Sequence, residues 1–93
     1  MRVSFNLPGP LHKFTAGRSC IPIDVSSPTV RGALDALWAE CPALKDRIMN
    51  EQGQIREHLY VFLGNDNVRF AGGLDTSIEN DCEVTILHAV SGG

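Results

Sequence analysis

The residues with the clearest chemical potential stand at the end of the chain, Ala89-Val90-Ser91-Gly92-Gly93, with an α-carboxylate on Gly93. Glycine has no side chain to bury and loses more conformational freedom on ordering than any other residue, so Gly92-Gly93 makes a poor end for a packed core. The same properties make a good reagent. A thin, flexible arm tipped by a carboxylate can thread into an active site too narrow for any Cβ. A carboxylate is a weak electrophile until one oxygen becomes a good leaving group, so such an arm needs activation before it can react. A frayed terminus or an expression remnant has the same composition. Two properties of the remaining chain separate these readings: whether it supports the arm, and whether it has catalytic machinery of its own.

No such machinery is legible. A glycine-rich loop followed by Lys and Ser/Thr is absent, so the chain shows no phosphate-cradling motif of its own. His12, His58 and His88 are scattered, and Cys20, Cys41 and Cys82 have no paired spacing, so no metal-ligand pattern emerges. Three cysteines, an odd number, read as free thiols in a reducing compartment, and the cytoplasm is the expected location. Cys41 and Cys82 could relay persulfide sulfur, but nothing beside them lowers a thiol pKa, and packing accounts for them as small hydrophobes. The formal charge of −3 leaves no basic stripe to neutralise phosphates, which argues against a nucleic-acid partner. No apolar run is long enough to span a membrane, and Met1-Arg2 leads straight into strand-like sequence without a signal peptide.

The 93 residues, 43% hydrophobic and 20% charged, fit one folded domain with a single modest core. Arg2 to Leu7 alternates, with Val3, Phe5 and Leu7 inward, as a half-buried strand does. Pro8-Gly9-Pro10 ends it, and residues through Arg18 read as a loop. Ser19 to Val25 is a second strand with Ile21, Ile23 and Val25 inward. Pro22 cannot donate to a ladder, so this strand belongs at a sheet edge. Ser26-Ser27-Pro28-Thr29 is a helix start, with hydroxyl caps and a proline for the first turn. Val30, Ala33, Leu34, Leu37, Trp38 and Cys41 then form one apolar stripe that Pro42 stops. Leu44 and Ile48 plug the core from a following short turn.

His58 to Leu63 is a third strand, with Leu59, Val61 and Leu63 inward and Tyr60 and Phe62 outward. Gly64 to Asn67 turns the chain into a short strand, Val68-Arg69-Phe70, which Gly72-Gly73 breaks. Leu74 and Ile78 plug the core from a loop. Asn80-Asp81 leads into the last strand, with Val84 and Ile86 inward and Thr85 and Leu87 outward. The clean alternation predicts an α+β two-layer domain with the helix on one sheet face. One helix crossing a sheet built from an N-terminal hairpin and later strands is the outline of a β-grasp, ubiquitin-like fold. The expectation is a mixed sheet of four to five strands over residues 1–88, with 89–93 as a flexible tail. In that fold the first and last strands are parallel neighbours at the centre, so the tail leaves from mid-sheet.

The run Asn67-Val68-Arg69-Phe70-Ala71-Gly72-Gly73-Leu74-Asp75-Thr76, then Glu83-Val84-Thr85-Ile86-Leu87, then Ala89 to Gly93, resembles the MoaD/ThiS family of ubiquitin-like sulfur carriers. The likeness is strongest over residues 58–93 and extends to element order and length before that. It implies that an E1-like enzyme adenylates the terminal carboxylate with ATP. Sulfur is then installed as a thiocarboxylate, and a biosynthetic enzyme accepts it. Gly93 matches the acceptor of the adenylate and of sulfur, while Gly92, Ser91, Val90 and Ala89 match the threading tail. The carrier is then a co-substrate, not an enzyme, and binds no cofactor itself. Two positions depart from the family pattern. His88 replaces a usual proline, which is expected to loosen the tail's base slightly. Asn80-Asp81-Cys82 replaces an Asp-Gly-Asp turn, which puts Asn80 or Asp81 forward for any left-handed conformation.

Tyr60, Phe62 and Leu87 on the outward face, with His88 beside the tail, are the candidate partner-binding residues. Exposed apolar patches commonly mark partner sites; a covering loop is the alternative. His88 could donate a proton near the thiocarboxylate or simply end a strand. Glu79, Asp81 and Glu83 could place negative charge around the tail to meet a basic partner cleft, or form a solvated rim. The resemblance favours a carrier for cysteine biosynthesis through an O-phosphoserine-dependent synthase. The small subunit of molybdopterin synthase comes next, then donors for thiamin thiazole, thiolated tRNA and secondary metabolites. A ubiquitin-like modifier joined through Gly93 to a lysine uses the same activation. A sheet-face binding module with an incidental tail is the third class.

Overall fold

The chain order of the elements follows from where the apolar positions can meet. A computed structural model describes residues 1–88, and the calls on residues 89–93 lie outside it. β1 (Arg2–Asn6) and β2 (Cys20–Asp24) form an antiparallel pair in which Phe5 faces Ile21 and Val3 faces Ile23. α1 (Val30–Glu40) crosses to the far side of the molecule's core. β3 (Leu59–Leu63) and the two-residue β4 (Asp66–Asn67) follow, and β5 (Cys82–His88) closes the sheet. The order across the sheet is β2-β1-β5-β3-β4, with β1 and β5 parallel and the other pairs antiparallel. The expected mixed sheet, its central parallel pair and the edge position of Pro22 are all present.

One core holds the layers together. Val3, Phe5, Ile21, Ile23, Leu59, Val61, Val84 and Ile86 bury from the sheet against Val30, Ala33, Leu34 and Leu37 of α1. Leu44, Ile48 and Ile78 close it as the plugs the pattern called for, while Trp38 is only half-buried and Leu74 packs at the margin. At about 1.5–3 kcal/mol per fully buried aliphatic or aromatic side chain, this cluster is the main source of stability.

Several local expectations are corrected. The stretch after β1 is not an open loop: Gly9–Phe14 is a 3-10 helix whose Leu11 is buried. Pro8 and Pro10 punctuate it, and two apolar residues, Leu11 and Phe14, are too few to show a readable period. The hydroxyl cap of α1 is Thr29, whose side chain accepts from the Gly32 N–H, so Pro28 stands before the cap instead of inside the first turn. Val68-Arg69-Phe70 is not a strand; Val68–Ala71 is a helical turn, α3, and β4 is the preceding Asp66–Asn67. Three residues with the first buried satisfy both periods, and the Asn67 side chain accepting from the Arg69 N–H tips the balance to helix. Neither Asn80 nor Asp81 adopts a positive φ. Asp81 Oδ1 instead accepts the Arg2 N–H at 2.8 Å, tying the starts of the two parallel strands together.

Gly32 shows a constraint that periodicity does not reveal. A Cβ there would meet Ser27 Cβ and its carbonyl oxygen, each at 2.6 Å, because the loop entering α1 folds back on the helix. Gly32→Ala is therefore expected to destabilise the protein by about 1–3 kcal/mol despite alanine's better helix propensity. Chemical denaturation reads this directly, and a stabilised variant would contradict the close approach.

Candidate functional site

β5 is the strand that leads into the tail, and its position decides what surrounds it. It is held by β1 on one side and β3 on the other, the most constrained place in the sheet. His88 is its last residue and pairs opposite Leu59, so the chain is still in the ladder where Ala89 begins. The five residues Ala89, Val90, Ser91, Gly92 and Gly93 lie outside the described residues.

The outward sheet face carries the candidate docking residues. Tyr60 and Leu87 are direct cross-strand partners, 36% and 44% exposed, and no loop among the described residues covers them. Phe62 is half-buried one row further from the tail, opposite Thr85. Thr85 Oγ1 accepts from Asn6 Nδ2 at 3.2 Å, so the face turns polar towards β1. Arg69 sits over the Tyr60 ring at 5.7 Å and donates to the Leu59 carbonyl at 3.3 Å, which fixes its guanidinium beside the patch. Phe70, on α3 next to Arg69, is 85% exposed. Sequence reasoning placed it in a strand and passed over it as a contact; the family-like Val-Arg-Phe run was the signal that could have singled it out.

The charges are not where sequence proximity put them. Glu79, Asp81 and Glu83 lie at the start of β5, and the strand from Glu83 to His88 spans roughly 17 Å at ~3.3 Å per residue. They border the opposite end of the strand from the tail. At the tail end stand cations and histidines: Lys13, Arg47, Arg56, His58 and His88 line one cleft. The His58 and His88 rings stack with centroids 5.9 Å apart and planes within 17°. His88 thus takes the place of a usual proline as a half-buried ring beside His58.

The thiols follow the packing reading. Cys41 is buried, Cys82 half-buried and Cys20 exposed, all free. Burial pushes the Cys82 thiol up, and the Asp81 carboxylate pushes it further, opposite to what a sulfur-relay thiolate needs. Among the described residues no group of His, Cys, Asp and Glu could hold a metal ion, and no helix is long and apolar enough to cross a membrane.

Comparison with known proteins adds relatives that span the whole chain. The ThiS family model matches residues 7–93. The chain is 30% identical over 95 residues to the sulfur carrier protein CysO of Mycobacterium tuberculosis, covering all of both chains. A crystal structure of the BexX/CysO complex of Amycolatopsis orientalis superposes with a TM-score of 0.84 at 27% identity, covering 98% of this chain and 99% of that one. The small archaeal modifier protein 1 of Haloferax volcanii superposes at 0.80 with 26% identity, covering 96% and 98%.

Proposed function

Because the chain belongs to the ThiS family, with the β-grasp fold its CysO relatives share, we propose that it is a sulfur carrier whose Gly93 carboxylate is adenylated and converted to a thiocarboxylate. The observation that best supports this is the register of β5. The strand is central, paired with β1 from Cys82 to Thr85 and with β3 from Val84 to its last residue, His88, and the sequence ends five residues later at Gly92-Gly93. Such a strand fixes the base of the arm while leaving the arm free of side chains at its tip. An E1-like enzyme supplies ATP chemistry and a biosynthetic enzyme accepts the sulfur. Full-length likeness to CysO supports cysteine biosynthesis as the destination. In the proposed cycle the carboxylate attacks the ATP α-phosphorus and pyrophosphate leaves. A sulfur nucleophile then displaces AMP to give the thiocarboxylate.

Intact mass spectrometry after incubation with the cognate E1-like enzyme, ATP and a sulfide source tests the proposal. Exchange of one oxygen for one sulfur on the C-terminal peptide is the expected result. An unchanged mass with a demonstrably active enzyme would sink it. Copurification with a pyridoxal-phosphate synthase points to cysteine; copurification with a larger molybdopterin synthase subunit points to that pathway instead. A second reading, conjugation through Gly93 to lysines, is favoured by the likeness to an archaeal modifier protein. It predicts covalent ladders on other proteins that thiocarboxylate chemistry alone does not produce.

The sheet face is the proposed docking surface. Tyr60→Ala with Leu87→Ser is expected to raise the carrier's KM for the activating enzyme about tenfold or more, with the melting temperature little changed, since interface hot spots are commonly aromatic. An unaltered KM would move the interface elsewhere.

A further inference from the structure

We propose that the cationic cleft at the tail end of β5 docks an acidic strip of the enzyme that adenylates Gly93, a second contact separate from the sheet face; this rests on the carrier reading above. The cleft, about 400 Å³, lies between the 3-10 helix Gly9–Phe14, the α2 turn (Lys45–Ile48) and the ends of β3 and β5. Three of the chain's eight lysines and arginines, Lys13, Arg47 and Arg56, line it although the net charge is −3. Scattered surface cations do not explain that concentration.

Among the described residues these charges are held in place without an ion pair. The ion pairs among the described residues are Arg2–Asp24 and Arg31–Asp75, and neither involves this cleft. Arg56 donates through Nε and Nη2 to the Asp46 carbonyl oxygen at 3.1 and 2.7 Å. A guanidinium carries five N–H donors, so its position is fixed while others stay available. Arg47 and Lys13 both lie over the Phe14 ring, at 4.8 and 5.3 Å from its centroid. The Asp46 carboxylate borders the cleft and is the acidic side chain there. Ordering these long side chains beforehand lowers the entropy lost when a carboxylate binds them.

The shape argues for a protein strip over a small ion. The lining includes the exposed Pro10 and the half-buried Phe14, apolar area that a hydrated phosphate leaves uncovered and a peptide segment covers. The location argues for the adenylating enzyme. His88 lines the cleft, and five extended residues reach at most about 17 Å. An enzyme holding Gly93 in its active site therefore stands within that distance of the cleft.

The test uses full-length protein and the cognate E1-like enzyme, with ATP–pyrophosphate exchange and direct ATP-free binding measured in parallel. Lys13→Glu with Arg47→Glu is expected to weaken binding and raise the carrier's KM at least tenfold at low salt, with kcat nearly unchanged. Raising ionic strength from about 0.05 to about 0.3 M should weaken the wild type and narrow that gap. Lys45→Glu, on the same turn but lining a different cleft, matches the net-charge change of Arg47→Glu alone and is expected to stay within about twofold of wild type, while Arg47→Glu alone exceeds that. Equal melting temperatures establish that the reversals fold. Wild-type binding that is absent, or that the double reversal leaves intact, overturns the docking site. Amide shifts of Lys13 and Arg47 saturating with inorganic phosphate near 1 mM, with loss of enzyme competition, overturn it in favour of a small-anion site. Loss of pyrophosphate exchange with binding intact overturns the carrier reading and not the cleft.

Discussion

Deletion of Gly93 is expected to abolish ATP-dependent sulfur incorporation while leaving the thermal unfolding curve of the domain unchanged. The expectation has two independent parts. The chemical part is that adenylation needs a carboxylate reached through a channel that excludes side chains, and removing Gly93 withdraws that carboxylate by one residue. A misplacement of about 1 Å can already cost ~10²-fold in rate, and one residue moves the reacting atom about 3.3–3.6 Å. The structural part is that, among the described residues, the core runs from Val3 to Ile86, and a terminal glycine has no side chain to add to it. Gly92→Val is a graded version: it keeps the terminal carboxylate and adds two branches at Cβ. Its activity is expected to fall by about 10²-fold with the same melting temperature. A deletion variant that still gains sulfur at its new terminus would overturn the assignment of Gly93. A deletion that lowers the melting temperature would show that the tail packs.

Phe5→Ala is expected to act in the opposite way, costing about 3–5 kcal/mol of stability. Phe5 sits between Ile21 of β2 and Val84 of β5 and is completely buried, so truncation leaves a cavity in the middle of the sheet's inner face. Against a total of about 5–15 kcal/mol, that loss brings a domain of this size close to unfolding at growth temperature. At about 4–8 °C per kcal/mol, the melting temperature should fall by more than 10 °C. The neighbouring Ser4→Ala, on the outward parity of the same strand, is expected to stay within about 0.5 kcal/mol. Sulfur loading of Phe5→Ala should drop with the folded fraction and recover on cooling or stabilisation. The Gly93 deletion should not recover. This difference separates presenting the arm from being the reacting group.

Much of the fold was legible because its elements are long enough for period to speak. Five to seven alternating residues in β1, β2, β3 and β5, and eleven residues of stripe in α1, decide between a repeat of 2 and a repeat of 3.6 without help. Pro22 named the edge strand, since a missing donor is tolerable only there. Short segments were not legible in the same way. Val68-Arg69-Phe70 read as a strand and is a helical turn, and Gly9–Phe14 read as a loop and is a 3-10 helix. Where a short run shows no alternation, one capping hydrogen bond or one buried leucine outweighs any propensity.

The candidate site divides the same way. By itself the sequence pointed to the proposed reacting group, because Gly93, its neighbour and the absence of a phosphate-binding loop are all facts of residue order. It determined the outward parity of Tyr60 and Leu87, because side chains alternate along any strand. Only the tertiary structure decided which charges stand near the arm. Glu83 is closer to Ala89 in sequence than Arg47 is, yet an extended strand carries it to the far end of the sheet. Lys13, Arg47 and Arg56 come together with His88 because three separate segments pack around the end of β5. Sequence distance measures path length along the chain, and electrostatics acts through space, so the acidic rim was legible and the basic cleft was not.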